Sequence, residues 1–134
     1  GRFVRGSLVE RRDLVRAMLM SSDNLAAESL AHAHPGGYEA FLEEVNWHLK
    51  VNGFQHTHIV DATGLLAGNV STVSELKEFL FMLRNINIIT QYSREQYYEV
   101  KYYPVKSKKQ TTVHLRNTNP QLAFYNEIIL TKTV

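Results

Sequence analysis

The sequence of 134 residues contains no cysteine. No disulfide can staple it and no thiolate can hold zinc, an absence that fits a periplasmic and a cytosolic protein equally. No run of about 18 apolar residues occurs, so no membrane span is expected. The opening Arg2-Phe3-Val4-Arg5-Gly6 lacks the apolar region of a signal peptide, and any targeting segment is expected upstream of it. There is no internal repeat and no low-complexity linker. A net charge of +2 is too small by itself to imply a nucleic-acid partner. No glycine-rich phosphate loop follows a strand, and no cofactor is expected.

What is present is enough apolar material for one modest domain: 44% of residues are hydrophobic, so a packed core is feasible. Residues 12–92 read as helical and residues 95–134 as strands, an α+β arrangement. In 12–20, Leu14, Val15, Met18 and Leu19 share a helical face. Ser21 to Asn24 interrupt with capping residue types, and a second helix is predicted over 25–33. Pro35-Gly36-Gly37 ends it. A third helix over 37–51 carries the stripe Tyr38, Phe41, Leu42, Val45 and Leu49, with Gly53 as its stop. After a short extended piece at 57–60, Thr72 and Glu75 have capping-box spacing for a helix over 73–84, whose buried stripe would be Leu76, Phe79, Leu80 and Leu83. Alternating Tyr98, Val100 and Tyr102 predict a strand within 95–105. A turn at 107–110, a second strand over 111–115 and a third over 127–134 complete the reading.

The candidate chemistry sits in two short motifs. Ser22-Asp23-Asn24 lies between two predicted helices. Alone, such a triplet reads as a helix N-cap. About 110 residues later, Lys132-Thr133 lies on the third predicted strand. The only S-x-x-K match, Ser74-Glu75-Leu76-Lys77, falls downstream of Ser22 and reads as the solvated first turn of a helix.

Longer stretches join these motifs in order: residues 20–32 around the triplet, Pro35-Gly36-Gly37-Tyr38-Glu39-Ala40-Phe41, Thr63-Gly64-Leu65, Asn69-Val70-Ser71-Thr72, Arg116-Asn117-Thr118-Asn119, and Leu130-Thr131-Lys132-Thr133. Together they resemble, collinearly from about Leu8 onward, the low-molecular-mass penicillin-binding proteins, the D-alanyl-D-alanine endopeptidases and carboxypeptidases of the serine β-lactamase-like superfamily. The 35–41 segment resembles the endopeptidase branch.

The resemblance implies a partial β-lactamase/transpeptidase-like fold over 1–134, a single partial peptidase domain with a helical lobe at 12–92 and strands at 95–134 leading to the K-T-G position. It implies three elements, S-x-x-K, S-D-N and K-T-G. The serine of S-x-x-K attacks the peptide carbonyl and its lysine takes the proton. Ser22 would relay a proton toward the leaving amine, Asn24 would hold the substrate amide, and Lys132 with Thr133 would bind the substrate's carboxylate end. The partners implied are peptidoglycan peptides and β-lactams, and the address implied is periplasmic.

Three departures bear on activity. No S-x-x-K stands upstream of Ser22, so the nucleophile and its lysine are expected before Gly1. Val134 stands where K-T-G has glycine, and its β-branched side chain would crowd a substrate lying along that strand. The family's remaining strands would also lie outside residues 1–134. The chain by itself is therefore expected not to cleave D-alanyl peptides or trap penicillin.

Other readings remain. A non-catalytic binding domain is one, its open strand edges covered by a second copy or another chain. Tyr97, Tyr98, Tyr102 and Tyr103 interleave with Lys101, Lys106, Lys108, Lys109 and Arg116, a pattern that would also suit a nucleic-acid surface; a hairpin with a charged turn explains it as well. His56 and His58 would share one face of a strand, yet no carboxylate sits at ligand spacing and no metal is expected.

Overall fold

The structure, a computed structural model, describes residues 2–107 and 109–133. Val134, and Lys108 in the 107–110 turn, lie outside the described residues. The order is α1 Arg11–Ser21, α2 Asn24–His32, α3 Gly37–Val51, α4 Val73–Leu83, α5 Asn87–Arg94, β1 Tyr97–Tyr102, β2 Thr111–Arg116 and a short 3₁₀ turn at Pro120–Ala123.

The core forms where α1 and α2 meet the inner face of the β1–β2 hairpin. The strands pair antiparallel, with Tyr98 opposite Leu115 and Val100 opposite Val113. The strand alternation turns Tyr98, Val100, Tyr102, Val113 and Leu115 to one side. There they meet Ala17, Met20, Ala26 and Phe3. Phe3 stands edge-on to Tyr102, with ring centroids 5.4 Å apart. The N-terminal segment continues along the outer edge of β1, where Leu8 and Tyr103 exchange backbone hydrogen bonds of 3.0 and 3.3 Å.

The buried face of α1 differs from the expected Leu14, Val15, Met18 and Leu19. Ala17 and Met20 are fully enclosed, and Asp13 and Arg16 are buried beside them. Leu14 and Met18 pack at the flank of this cluster. The reason is Arg16. Its guanidinium lies between the Tyr92 and Tyr98 rings, 3.9 Å from each centroid. It also pairs with Glu95 at 2.8 Å and Asp13 at 3.2 Å. A partnered arginine is thus inside the molecule, where an apolar count places nothing charged. Burial pushes the Asp13 carboxyl up, opposed by Arg16 beside it.

The outer arm, α3 to α4, is held by polar locks. Asn46 donates to Ile59 O at 2.7 Å and accepts the Ile59 N–H at 2.9 Å. His58 bridges Val70. Asp61, buried, accepts from the backbone N–H of Gly64 and Leu65 and from the side chains of Thr63 and Asn69. Burial raises its pKa, but these donors outweigh it and bring the carboxyl down to about 2. Thr72 caps α4 by accepting the Glu75 N–H. The Glu75 carboxylate does not turn back to complete the box. It accepts instead from the His56 N–H, the His56 ring and the Thr57 hydroxyl. The His56 ring is therefore occupied by a carboxylate, and among the described residues no three potential ligands cluster around a metal position.

Two further expectations are corrected. The predicted buried stripe of α4 is open: Leu76 and Leu80 are each 51% exposed and Phe79 is 38% exposed. Phe54 meets Phe79 edge-on, and Leu80 shares an open cavity with Ile129 and Leu130 rather than a closed core. Residues 127–133 form no strand. An extended segment becomes a strand only through a neighbouring backbone ladder, and this one is held by side chains.

Candidate functional site

The Ser22-Asp23-Asn24 triplet is the hinge between α1 and α2, and each residue there has a separate local task. Ser22 is the C-cap of α1, with φ 49° and ψ 41°, the left-handed region; it is the one non-glycine with positive φ among the described residues. A side chain there costs about 1–2 kcal/mol. Asp23 is the N-cap of α2. Its Oδ1 accepts the Ala26 N–H at 3.0 Å and its Oδ2 accepts the Arg2 N–H at 2.8 Å. The N-cap reading of the triplet therefore holds for Asp23, and the Ser22 and Asn24 side chains take no part in capping either helix.

Ser22 meets the far end of the chain. Its hydroxyl donates to Thr133 O at 2.7 Å, and Lys132 Nζ donates to Ser22 Oγ across 110 residues of sequence. Lys132 Nζ also reaches Thr133 O. Lys132 is exposed as a whole residue, but its ammonium end folds back against the protein. Partial loss of water there lowers its pKa from the ordinary 10.5.

Asn24 is the first residue of α2 and is exposed. It borders an open cavity of about 510 Å³ whose lining also includes Arg5, Glu28, Tyr38 and Asp61. Lys132 and Thr133 do not line that cavity. The structure thus brings together Ser22, Lys132 and Thr133, whereas Asn24, two residues after Ser22, lines a cavity that Lys132 and Thr133 do not reach.

The turn at 116–119 organises this meeting point, and the reading from residue types had assigned it nothing. Asn117 Nδ2 donates to the carbonyls of Ser93 and Glu95 at 2.8 and 2.9 Å. The Thr118 N–H donates to Met20 O at 2.8 Å, tying the turn to the end of α1. Ser21 Oγ donates to Arg116 O at 2.9 Å. Asn119 Nδ2 donates to Thr131 Oγ1 at 2.6 Å, and the Thr118 and Thr133 hydroxyls touch. Thr131 and Thr133 are both gripped by the turn, and Lys132 between them reaches Ser22. That alternation is what an extended segment provides. The signal in the sequence was the Arg116-Asn117-Thr118-Asn119 stretch itself.

The aromatic hairpin is split by its pleat. Tyr102 is buried and Tyr98 half-buried against the core, while Tyr97 and Tyr103 are exposed. Tyr97 stacks on His114, with centroids 5.8 Å apart. Two of the four rings are thus committed inward.

Comparison with known proteins follows the same outline. The chain is 38% identical over 128 residues to a D-alanyl-D-alanine endopeptidase of Escherichia coli K12, a match that covers 95% of this chain and 40% of that protein. It is 36% identical over 121 residues to a D-alanyl-D-alanine endopeptidase of Pseudomonas aeruginosa, covering 90% of this chain and 35% of that one. The chain therefore spans well under half the length of these relatives. Its fold matches that of the Streptomyces K15 DD-transpeptidase with a TM-score of 0.88 at 22% identity, covering 97% of this chain and 52% of the other. Penicillin-binding protein D2 from Listeria monocytogenes, in its cefotaxime-bound form, matches with a TM-score of 0.71 at 26% identity, covering 92% and 47%. Residues 2–134 as a whole match the D-alanyl-D-alanine carboxypeptidase family, and the chain belongs to it.

Proposed function

We propose that this chain supplies one wall of the substrate groove of a serine-type D-alanyl-D-alanine endopeptidase or carboxypeptidase that acts on the D-alanyl cross-links of periplasmic peptidoglycan. Lys132 and Thr133 bind the carboxylate end of the peptide, an ammonium and a hydroxyl that together suit an anion. Ser22, held by its left-handed backbone with its hydroxyl at Lys132, relays a proton toward the leaving amine. Asn24 holds the substrate amide. The attacking serine and its lysine come from an S-x-x-K element that residues 1–134 do not contain upstream of Ser22. β-Lactams occupy the same groove, presenting a carboxylate to the same pair. The observation that carries this reading is the Lys132–Ser22 contact between residues 110 apart.

The chain alone is a binding half without a nucleophile. Titration with an acyl-D-alanyl-D-alanine peptide should show saturable binding, lost in Lys132→Ala and in Thr133→Val. Labelled penicillin should not survive denaturation on it. Covalently retained penicillin, or peptide binding indifferent to both substitutions, would sink the proposal.

A further inference from the structure

The hydroxyl of Thr118 has no part in the roles above, and counting its protons gives it one. A threonine hydroxyl carries one proton and two lone pairs. Thr118 Oγ1 touches Thr133 Oγ1 and lies 3.3 Å from Met20 O. Between two touching hydroxyls only one donates. If Thr133 donates to Thr118, its own proton is used, and it presents lone pairs to the groove, where they repel a carboxylate. If Thr118 donates to Thr133, the Thr133 proton is free for the anion.

Met20 O competes for the Thr118 proton, but it already accepts the Thr118 backbone N–H at 2.8 Å. The longer hydroxyl contact can be released without leaving that carbonyl unpaired, so its loss carries little penalty. Thr133 cannot easily turn away. Asn119 Nδ2 fixes Thr131 Oγ1 at 2.6 Å on the same side of the segment, and Ser22 Oγ fixes Thr133 O at 2.7 Å.

We infer that Thr118 is a positioning residue for anion recognition: its hydroxyl donates to Thr133 Oγ1, so that Thr133 can donate to a bound carboxylate. This rests on the carboxylate role of Lys132 and Thr133 proposed above.

The test measures the dissociation constant of an acyl-D-alanyl-D-alanine peptide on the chain carrying Thr118→Val, Thr118→Ser or Thr118→Ala, with the thermal midpoint followed in parallel. Thr118→Val keeps the shape and removes the donor that holds the Thr133 hydroxyl toward the anion. Thr133 keeps its own proton, so binding should weaken only through lost orientation, roughly three- to fivefold, less than one full hydrogen bond to a charged partner. Thr118→Ser restores the donor and should bind within about twofold of wild type. If Thr118→Val disturbs folding, Thr118→Ala at this exposed position gives the same comparison. Wild-type affinity in Thr118→Val, or equal weakening in Thr118→Val and Thr118→Ser, overturns the inference while leaving the carboxylate reading intact. Absence of binding in the wild type overturns both.

Discussion

The two halves of this molecule are built on opposite principles. Around α1, α2 and the hairpin, enclosed side chains such as Met20, Val100 and Leu115 meet across long sequence distances. Along α3, α4 and the intervening loop, single polar residues hold backbone in place, and large apolar side chains stay open, among them Leu65, Val73 and Leu76. The site residues belong to the first half. Ser22, Thr118, Lys132 and Thr133 are pinned to one another over that core, and a proton relay and an anion grip need such fixed geometry. The outer arm shows that a loop can be ordered without a core of its own, through carboxylate and amide groups that satisfy several backbone donors at once.

The contrast can be broken most severely at Arg16. Arg16→Met removes a buried cation and leaves Asp13 and Glu95 without their partner, and should cost about 3–5 kcal/mol in denaturant unfolding. A loss under about 1 kcal/mol would mean that the Tyr92–Arg16–Tyr98 stack is incidental. Next comes Leu115→Ala, at about 2–5 kcal/mol, expected to loosen the 116–119 turn together with the core. An equal loss from Leu80→Ala on the open face of α4 would erase the distinction between the halves.

A third prediction addresses the arm alone. Asp61 titrates at about 2 in the folded chain, below the ordinary 3.8. Its folded pKa is depressed, so its contribution is present above about pH 4 and is lost as the pH falls through about 2. Asp61→Asn should flatten the acid limb of the stability profile, and hydrogen exchange should place the first acid opening at residues 57–70. A wild-type acid limb in Asp61→Asn would assign acid sensitivity elsewhere. The smallest expected effect is at Ser22. Ser22→Gly relieves the left-handed backbone but loses the hydroxyl bond to Thr133, so stability should change by no more than about 1 kcal/mol, toward stabilisation. Peptide binding should nonetheless weaken. A clear destabilisation by calorimetry would show that Ser22 is held by packing and not by strain.

Much of this was legible in the residues. Capping residues and the Pro35-Gly36-Gly37 stop placed α2, apolar stripes placed α3 and, with the Thr72 cap, α4, each within a residue or two, and period-two alternation placed the first strand of the hairpin. The Thr72 cap was visible, although its Glu75 partner went to residues 56 and 57, because a carboxylate serves whichever donors lie nearest. The inward face of α1 was hidden because Arg16 hydrogen-bonds its way into the core, which hydrophobic periodicity does not register. α5 escaped separate notice because it has only 8 residues, with Asn85 and Asn87 at its start. The strand expected over 127–134 failed for a topological reason, since strand propensity names no partner. Ser22 and Lys132 were found through motif and resemblance; the resemblance also contained Thr118, but its task emerged only from contacts between segments far apart in sequence.

The most direct measurement is a single NMR titration of the chain with an acyl-D-alanyl-D-alanine peptide, following the Asn24 side-chain amide and the Lys132 ammonium together. A two-ended grip predicts that both signals move along one binding curve and that Lys132→Ala abolishes the Asn24 response. Movement of one signal with the other silent would contradict it.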